Sequence, residues 1–213
     1  MNSRHYYVNQ VRLGTNTYRV MYPAKPIAHG PHCESWSGTE MLVDRAGAVD
    51  LAVAWWLAAR SPRTLVYLPL RAGRCEVSPD YDERKLDLVL THHSLGFRPA
   101  KWKDVRARLT PNGLQKVTLP LNPFPTFDRQ DYLRTRHREC RDDLRYTIAA
   151  DTLFLTGSRP AYEFEGHEAL DLIDVPPAAH TCAEIGIGVW PGNGFQRRSA
   201  PAVLHVVRCN DHW

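Results

Sequence analysis

The run Leu51-Ala-Val-Ala-Trp-Trp-Leu-Ala-Ala59 limits the architecture more than any other stretch of the chain. The pattern predicts a helix from Thr39 to about Arg60, with Thr39 as its cap, Glu40 near its positive end and Ser61-Pro62 stopping it. A helix with one apolar stripe needs one neighbouring layer. This one is apolar nearly all round in its second half and has to be covered on most sides. Its apolar segment carries Asp50 and is too short to cross a bilayer, so it belongs inside a folded domain. Trp55 and Trp56 read as core or interface for the same reason.

The remaining stretches predict the covering layers. His5 to Tyr22, rich in Tyr and Val around Gly14-Thr15-Asn16, reads as a hairpin, and Pro23 to Gly38 as a loop. Thr64 to Leu70 reads as a strand and Arg71 to Lys85 as an exposed connection. From Leu86 onward strand and helix alternate. Strands are expected at Leu86–Thr91, Leu114–Leu121, Asp151–Thr156 and Ala200–Arg208, with helices near Ala100–Leu109 and from Asp128 through Ile148. Gly157 to Ala179 has the length of a binding loop with a short helix near His167–Ile173. Cys182–Val189 is a strand by its alternation or a helix by its small residues, the helix being preferred. The rhythm predicts an α/β class: an open, mainly parallel sheet with flanking helices, doubly wound in the flavodoxin-like manner. Residues 1–85 form an N-terminal extension of hairpin, helix and strand, and residues 86–208 the core of a single domain spanning 1–213.

Lys and Arg (27) exceed Asp and Glu (23) by a net charge of +4, a small excess in favour of a phosphate-bearing partner. The arginines at 129, 134, 136, 138, 141 and 145 alternate with acids, as on a solvated helix face, which places nucleic acid behind a small molecule as the expected partner. Cys33, Cys75, Cys140, Cys182 and Cys209 form no paired spacing and read as free thiols in a reducing, cytoplasmic setting. The amino terminus lacks the apolar run of a signal peptide. His29, His32 and Cys33 lack a fourth ligand at metal spacing, His92-His93 lacks a third, and no metal or cofactor is expected. A homodimer through the hairpin is compatible with the pattern.

Ligands of open parallel sheets gather at the carboxyl ends of the strands. That rule brings His92, His93 and Ser94, with Arg98 beyond, to one rim with Asn122 and with Thr156, Gly157, Ser158 and Arg159. Glu184, at the start of the next element, is expected there too. A carboxylate in that place can attack an anomeric carbon and form a glycosyl ester, while His92, His93 or an acid of the long loop protonates the leaving group. The mechanism needs Glu184 in a common pocket with His92, Ser94 and Gly157.

The run Asp143-Leu-Arg-Tyr-Thr-Ile-Ala-Ala-Asp151-Thr-Leu-Phe-Leu, then Thr181-Cys-Ala-Glu184-Ile-Gly186, then Pro201-Ala-Val-Leu-His-Val-Val207 resembles the nucleoside deoxyribosyltransferase and nucleotide N-glycosidase superfamily over about residues 86–208. The resemblance implies a nucleoside or nucleotide substrate, Glu184 as nucleophile, Thr181 as the motif threonine and Asp151 as the strand-leading aspartate. Where the family has a Gly-Pro turn this chain has Thr91-His92-His93-Ser94, and His180 replaces the motif glycine. Two other readings stay open. One is a non-catalytic sensor holding a nucleotide at the same rim, in which Glu184 is structural. The other is a basic nucleic-acid-binding or assembly protein.

Overall fold

The computed structural model describes residues 3–27, 32–35, 38–73, 85–128, 130–131, 142–174, 182–189 and 201–208. In chain order the elements are β1 (Ser3–Leu13), β2 (Asn16–Pro23), β3 (His32–Ser35), β4 (Gly38–Val43), α1 (Arg45–Arg60), β5 (Thr64–Leu68), β6 (Asp87–His92), α2 (Trp102–Arg106), β7 (Gln115–Thr118), β8 (Arg145–Ala149), β9 (Thr152–Gly157), α3 (Arg159–Asp171), β10 (Cys182–Val189) and β11 (Pro201–Arg208). They build two sheets, a seven-stranded one in the order β7-β1-β2-β5-β6-β9-β8 and a four-stranded one in the order β10-β11-β4-β3.

Helix α1 is sunk where its composition requires. Twelve of its residues, from Gly47 to Ala59, are buried. It packs on α3 and touches β5 and β6 of the large sheet and β4 of the small one, while α3 reaches β10. One apolar cluster therefore runs from Leu68, Leu90 and Leu155 through Leu51, Trp55 and Leu57 to Met41, Ile185 and Val206. Each large side chain so buried contributes on the order of 2 kcal/mol. The opposite face of the large sheet is covered by the segment around α2, where Trp102 and Val105 meet Tyr67, Val89 and Phe154. Asp50, nearly buried on the apolar helix, is answered by the guanidinium of Arg4, whose Nε donates to it at 2.5 Å. Burial pushes the Asp50 carboxyl up, and Arg4 opposes the rise.

The class is α/β, but the large sheet is mixed. Only β2/β5 and β6/β9 run parallel in it, and β7/β1, β1/β2, β5/β6 and β9/β8 are antiparallel. The expectation of a mainly parallel sheet fails because two of these pairs are hairpins with two-residue turns, Gly14-Thr15 and Ala150-Asp151, which permit no other direction. Other boundaries shift for local reasons. Gly38–Val43 is a strand with Thr39, Met41 and Val43 buried in alternation, and Asp44 caps α1 by accepting from the Gly47 N–H at 2.7 Å. Cys182–Val189 is a strand, with Ala183, Ile185 and Ile187 turned into the core and Glu184 outward. Within the stretch expected as a long loop with a short helix near His167–Ile173, the helix α3 already starts at Arg159, the Ser158 side chain accepting from the Ala161 N–H at 3.2 Å, and residues 175–179 lie outside the described residues. Asp128 accepts from the Asp131 N–H at 2.8 Å, as a cap would. Residues 132–141 of the expected long helix lie outside the described residues, and Arg145–Ile148, expected at its end, is in strand β8. Among the described residues no helix is long and apolar enough to cross a membrane.

At the end of the large sheet where β6 and β9 begin, Asp87 is buried and receives the Tyr67 hydroxyl (3.0 Å), Arg71 Nε (3.0 Å) and Arg106 Nη1 (3.2 Å). Arg106 also holds the Ala150 carbonyl at 3.1 Å. These contacts fix a turn in which Ala150 and Asp151 both sit at positive φ (49° and 54°), a conformation that favours Asn and Gly. Replacing Ala150 by Gly is expected to stabilise the protein by about 0.5–1 kcal/mol, and Ala150→Val to destabilise it by about 1–2 kcal/mol, as read from urea midpoints at constant slope.

Candidate functional site

The described cleft lies where β6 and β9 end. Parallel pairing sets His92 opposite Gly157, and the chain leaves Gly157 directly into α3. Helix α1 ends at this rim as well, because β5 starts beside the last residues of β6, with Leu65 opposite Thr91. The cleft measures about 600 Å³ and is lined by Arg60, Asn122, Arg159, Glu163 and His167, with Pro123–Thr126 and Leu170 completing the wall. Arg159, Glu163 and His167 follow one another at four-residue spacing on one face of α3.

Charge is concentrated at Glu163, whose side chain is only 10% exposed. Arg159 Nε donates to its Oε1 at 2.7 Å, and Arg60 Nη2 approaches the same oxygen at 3.5 Å. The two arginine side chains are 52% and 41% exposed, and each guanidinium has further N–H donors beyond the one facing Glu163. The opposite wall, the proline-rich stretch after β7, is clamped to α3. His167 Nε2 meets the Pro125 carbonyl at 2.7 Å, and Phe124 and Phe127 flank the His167 ring at 5.8 and 5.7 Å. Gly166 permits this contact, since a Cβ there would stand 2.5 Å from the Phe124 ring. The floor is equally fixed. The Tyr162 hydroxyl donates to the Leu155 carbonyl at 2.6 Å and accepts from the Thr91 N–H at 3.0 Å, tying α3 to β9 and β6 together.

Of the residues expected from sequence, Asn122 and Arg159 line the cleft. His92, Gly157 and Ser158 share its rim without lining it. Ser158 spends its hydroxyl on capping and on Asp142 Oδ1, 2.7 Å away. Thr156 lies opposite Thr91 in the sheet. His92 Nδ1 accepts from the Ser94 N–H at 3.2 Å and stands 2.7 Å from the Ser94 hydroxyl, with the His93 ring 4.5 Å off. Burial, with His93 beside it, lowers the His92 pKa below the usual imidazole range. Arg98 is exposed and precedes the short 3-10 turn Pro99–Lys101. Asp151 stands at the other end of β9, the length of a six-residue strand or roughly 20 Å from the rim, and pairs with Arg71. Thr181 and His29 lie outside the described residues. Arg60, Glu163, His167 and Phe124 are missed by the sequence reading. The Ser158-Arg-Pro160 start and the four-residue spacing after it are the signals that find them.

Glu184 stands elsewhere. It is on β10 of the small sheet, its side chain 65% exposed, 3.9 Å from His205 Nδ1 on the neighbouring strand. Two residues along, the Gly186 N–H donates at 3.0 Å to Glu165 of α3, on the outer strand of the four-stranded sheet. Burial pushes the Glu165 carboxyl up to about 7. The Gly186 N–H opposes the rise, while Glu168 and Asp143 add to it. Glu168 is raised in turn, by burial first and then by Asp171 and Glu184.

A folded-state pKa above the ordinary 4.5 means that Glu165 contributes its full stability below about pH 4.5 and loses it as pH rises through about 7. Glu165→Gln keeps an acceptor for Gly186 and removes this slope. The variant is expected to gain about 1–3 kcal/mol over the wild type above pH 7.5 and little at pH 4.5, as measured by denaturant melts across that range. No protein-family model matches this chain, and no curated protein or solved structure matches it either, so the reading of the site rests on its geometry.

Proposed function

We propose that the protein binds a small phosphate-bearing ligand of the nucleotide class in the cleft between α3 and the Asn122–Thr126 stretch, as a binding or sensing module. The observation that carries this reading is the convergence of Arg60 and Arg159, both half exposed, on the mouth of a cleft of about 600 Å³. Guanidinium forks suit phosphate oxygens, and the volume is that of a small-ligand pocket. Asn122 supplies an amide, and Phe124 with the prolines an apolar wall for a ring. The rigid wall and floor favour a pre-formed site. Calorimetric titration with nucleosides, their phosphorylated forms, dinucleotides and NAD is expected to give saturable binding of phosphate-bearing compounds alone. Arg159→Ala is expected to weaken it by roughly tenfold or more, about 1.4 kcal/mol. Equal binding of unphosphorylated nucleosides would overturn the reading.

The cleft lends no support to cleavage of an N-glycosidic bond through Glu184, which stands on β10 of the other sheet with its side chain 65% exposed.

A further inference from the structure

The cleft holds two arginines but does not offer two units of charge. Glu163 stands between them, accepting from Arg159 Nε at 2.7 Å with Arg60 Nη2 at 3.5 Å from the same oxygen. Its carboxylate is not free to swing away. The side chain is 10% exposed, on a buried stretch of α3 beside Tyr162, and separating a carboxylate from its counter-charges in such a place is strongly unfavourable. An incoming ligand therefore meets two guanidinium groups and one fixed carboxylate, a single net positive charge.

Two consequences follow for what fits. A doubly charged phosphate monoester gains from the arginines but brings its second charge towards Glu163, and like charges at contact distance are costly. A singly charged anion is matched without that repulsion. The rest of the wall, Pro123, Phe124, Pro125 and Leu170, is apolar and suits a ligand whose anionic group is flanked by rings or hydrocarbon.

Granted the phosphate-binding reading above, we infer that Glu163 is the specificity-determining residue of the cleft, selecting singly charged phosphodiesters with an apolar body over doubly charged phosphate monoesters. The test uses the full chain at pH 8 with three probes: methyl phenyl phosphate, a singly charged diester; phenyl phosphate, doubly charged at this pH; and benzoate. Dissociation constants are measured for the wild type, Glu163→Gln and Arg60→Met, with the melting temperature of each variant taken as a check of folding.

The wild type is expected to bind methyl phenyl phosphate roughly tenfold more tightly than phenyl phosphate and more tightly than benzoate, whereas tightest binding of benzoate overturns the phosphate reading of the cleft. Glu163→Gln is expected to reverse the order in favour of phenyl phosphate. Arg60→Met, which leaves one guanidinium against one carboxylate, is expected to weaken all three probes while keeping the wild-type order. A wild type that prefers phenyl phosphate, or a folded Glu163→Gln with the wild-type order, overturns this inference and leaves the anion site standing. If Glu163→Gln does not fold, Arg60→Met carries the decision, since an inverted order there overturns the inference. Absence of binding by all three probes to the wild type overturns the anion site, and the inference with it.

Discussion

Everything in this molecule is arranged to cover one helix. A segment as apolar as Gly47–Ala59 cannot lie on a sheet with its back to water, because each exposed Leu, Val or Trp would forfeit on the order of 2 kcal/mol. The large sheet covers one side of α1, the β4 strand of the small sheet another, and α3 a third. The two-sheet architecture is thus a response to a composition. It also explains the placement of Arg4, since the one carboxylate on the buried part of α1 needs a counter-charge brought from β1.

The covering of α1 was legible in the sequence because all-round apolarity has one structural meaning. The hairpin of β1 and β2 and the strands β5, β6 and β9 were legible because period-two alternation and runs of Val, Leu and Tyr stood between clear punctuation. What escaped was punctuation of unusual chemistry. The turn between β8 and β9 is built from Ala150 and Asp151, without the Asn-Gly or Gly that announces a hairpin, so Arg145–Ile148 read as the end of a helix. Asp44, the cap of α1, is masked in the sequence by Thr39, a good capping residue a few positions earlier in strand β4. The parallel sheet was an inference from alternation alone, and alternation does not specify pairing direction.

The candidate site was legible in part for a different reason. The rule that ligands collect at the carboxyl ends of parallel strands needs only one parallel pair, and β6/β9 supplies it. Arg159, just beyond β9, is legible on that ground alone, whereas Asn122 follows the antiparallel edge strand β7 and reaches the cleft through the proline-rich stretch after it. Glu184 joins that rim only if consecutive elements share a sheet. Its strand belongs to the other sheet, where it pairs with β11, and chain order gives no warning of such a switch. Glu163 stands in the part of residues 157–179 that reads as loop, and His167 at the expected start of a short helix whose first two turns the sequence does not announce. A helix with Pro in its first turn and acids spread along it looks polar and irregular until its cap is recognised.

The Tyr162 hydroxyl has a consequence for how the cleft works in time. It is held between the Leu155 carbonyl and the Thr91 amide in a fully buried place, one residue before Glu163 and within two residues of the strand ends that make the rim. Helix α3 cannot slide or tilt at that point without stranding polar groups in a dry interior, a penalty of about 1–3 kcal/mol for each. The charged floor is consequently set during folding and not by the arriving molecule. A ligand of the proposed kind would then meet a site governed by diffusion and by the field of the two arginines, with no slow rearrangement of α3 in between.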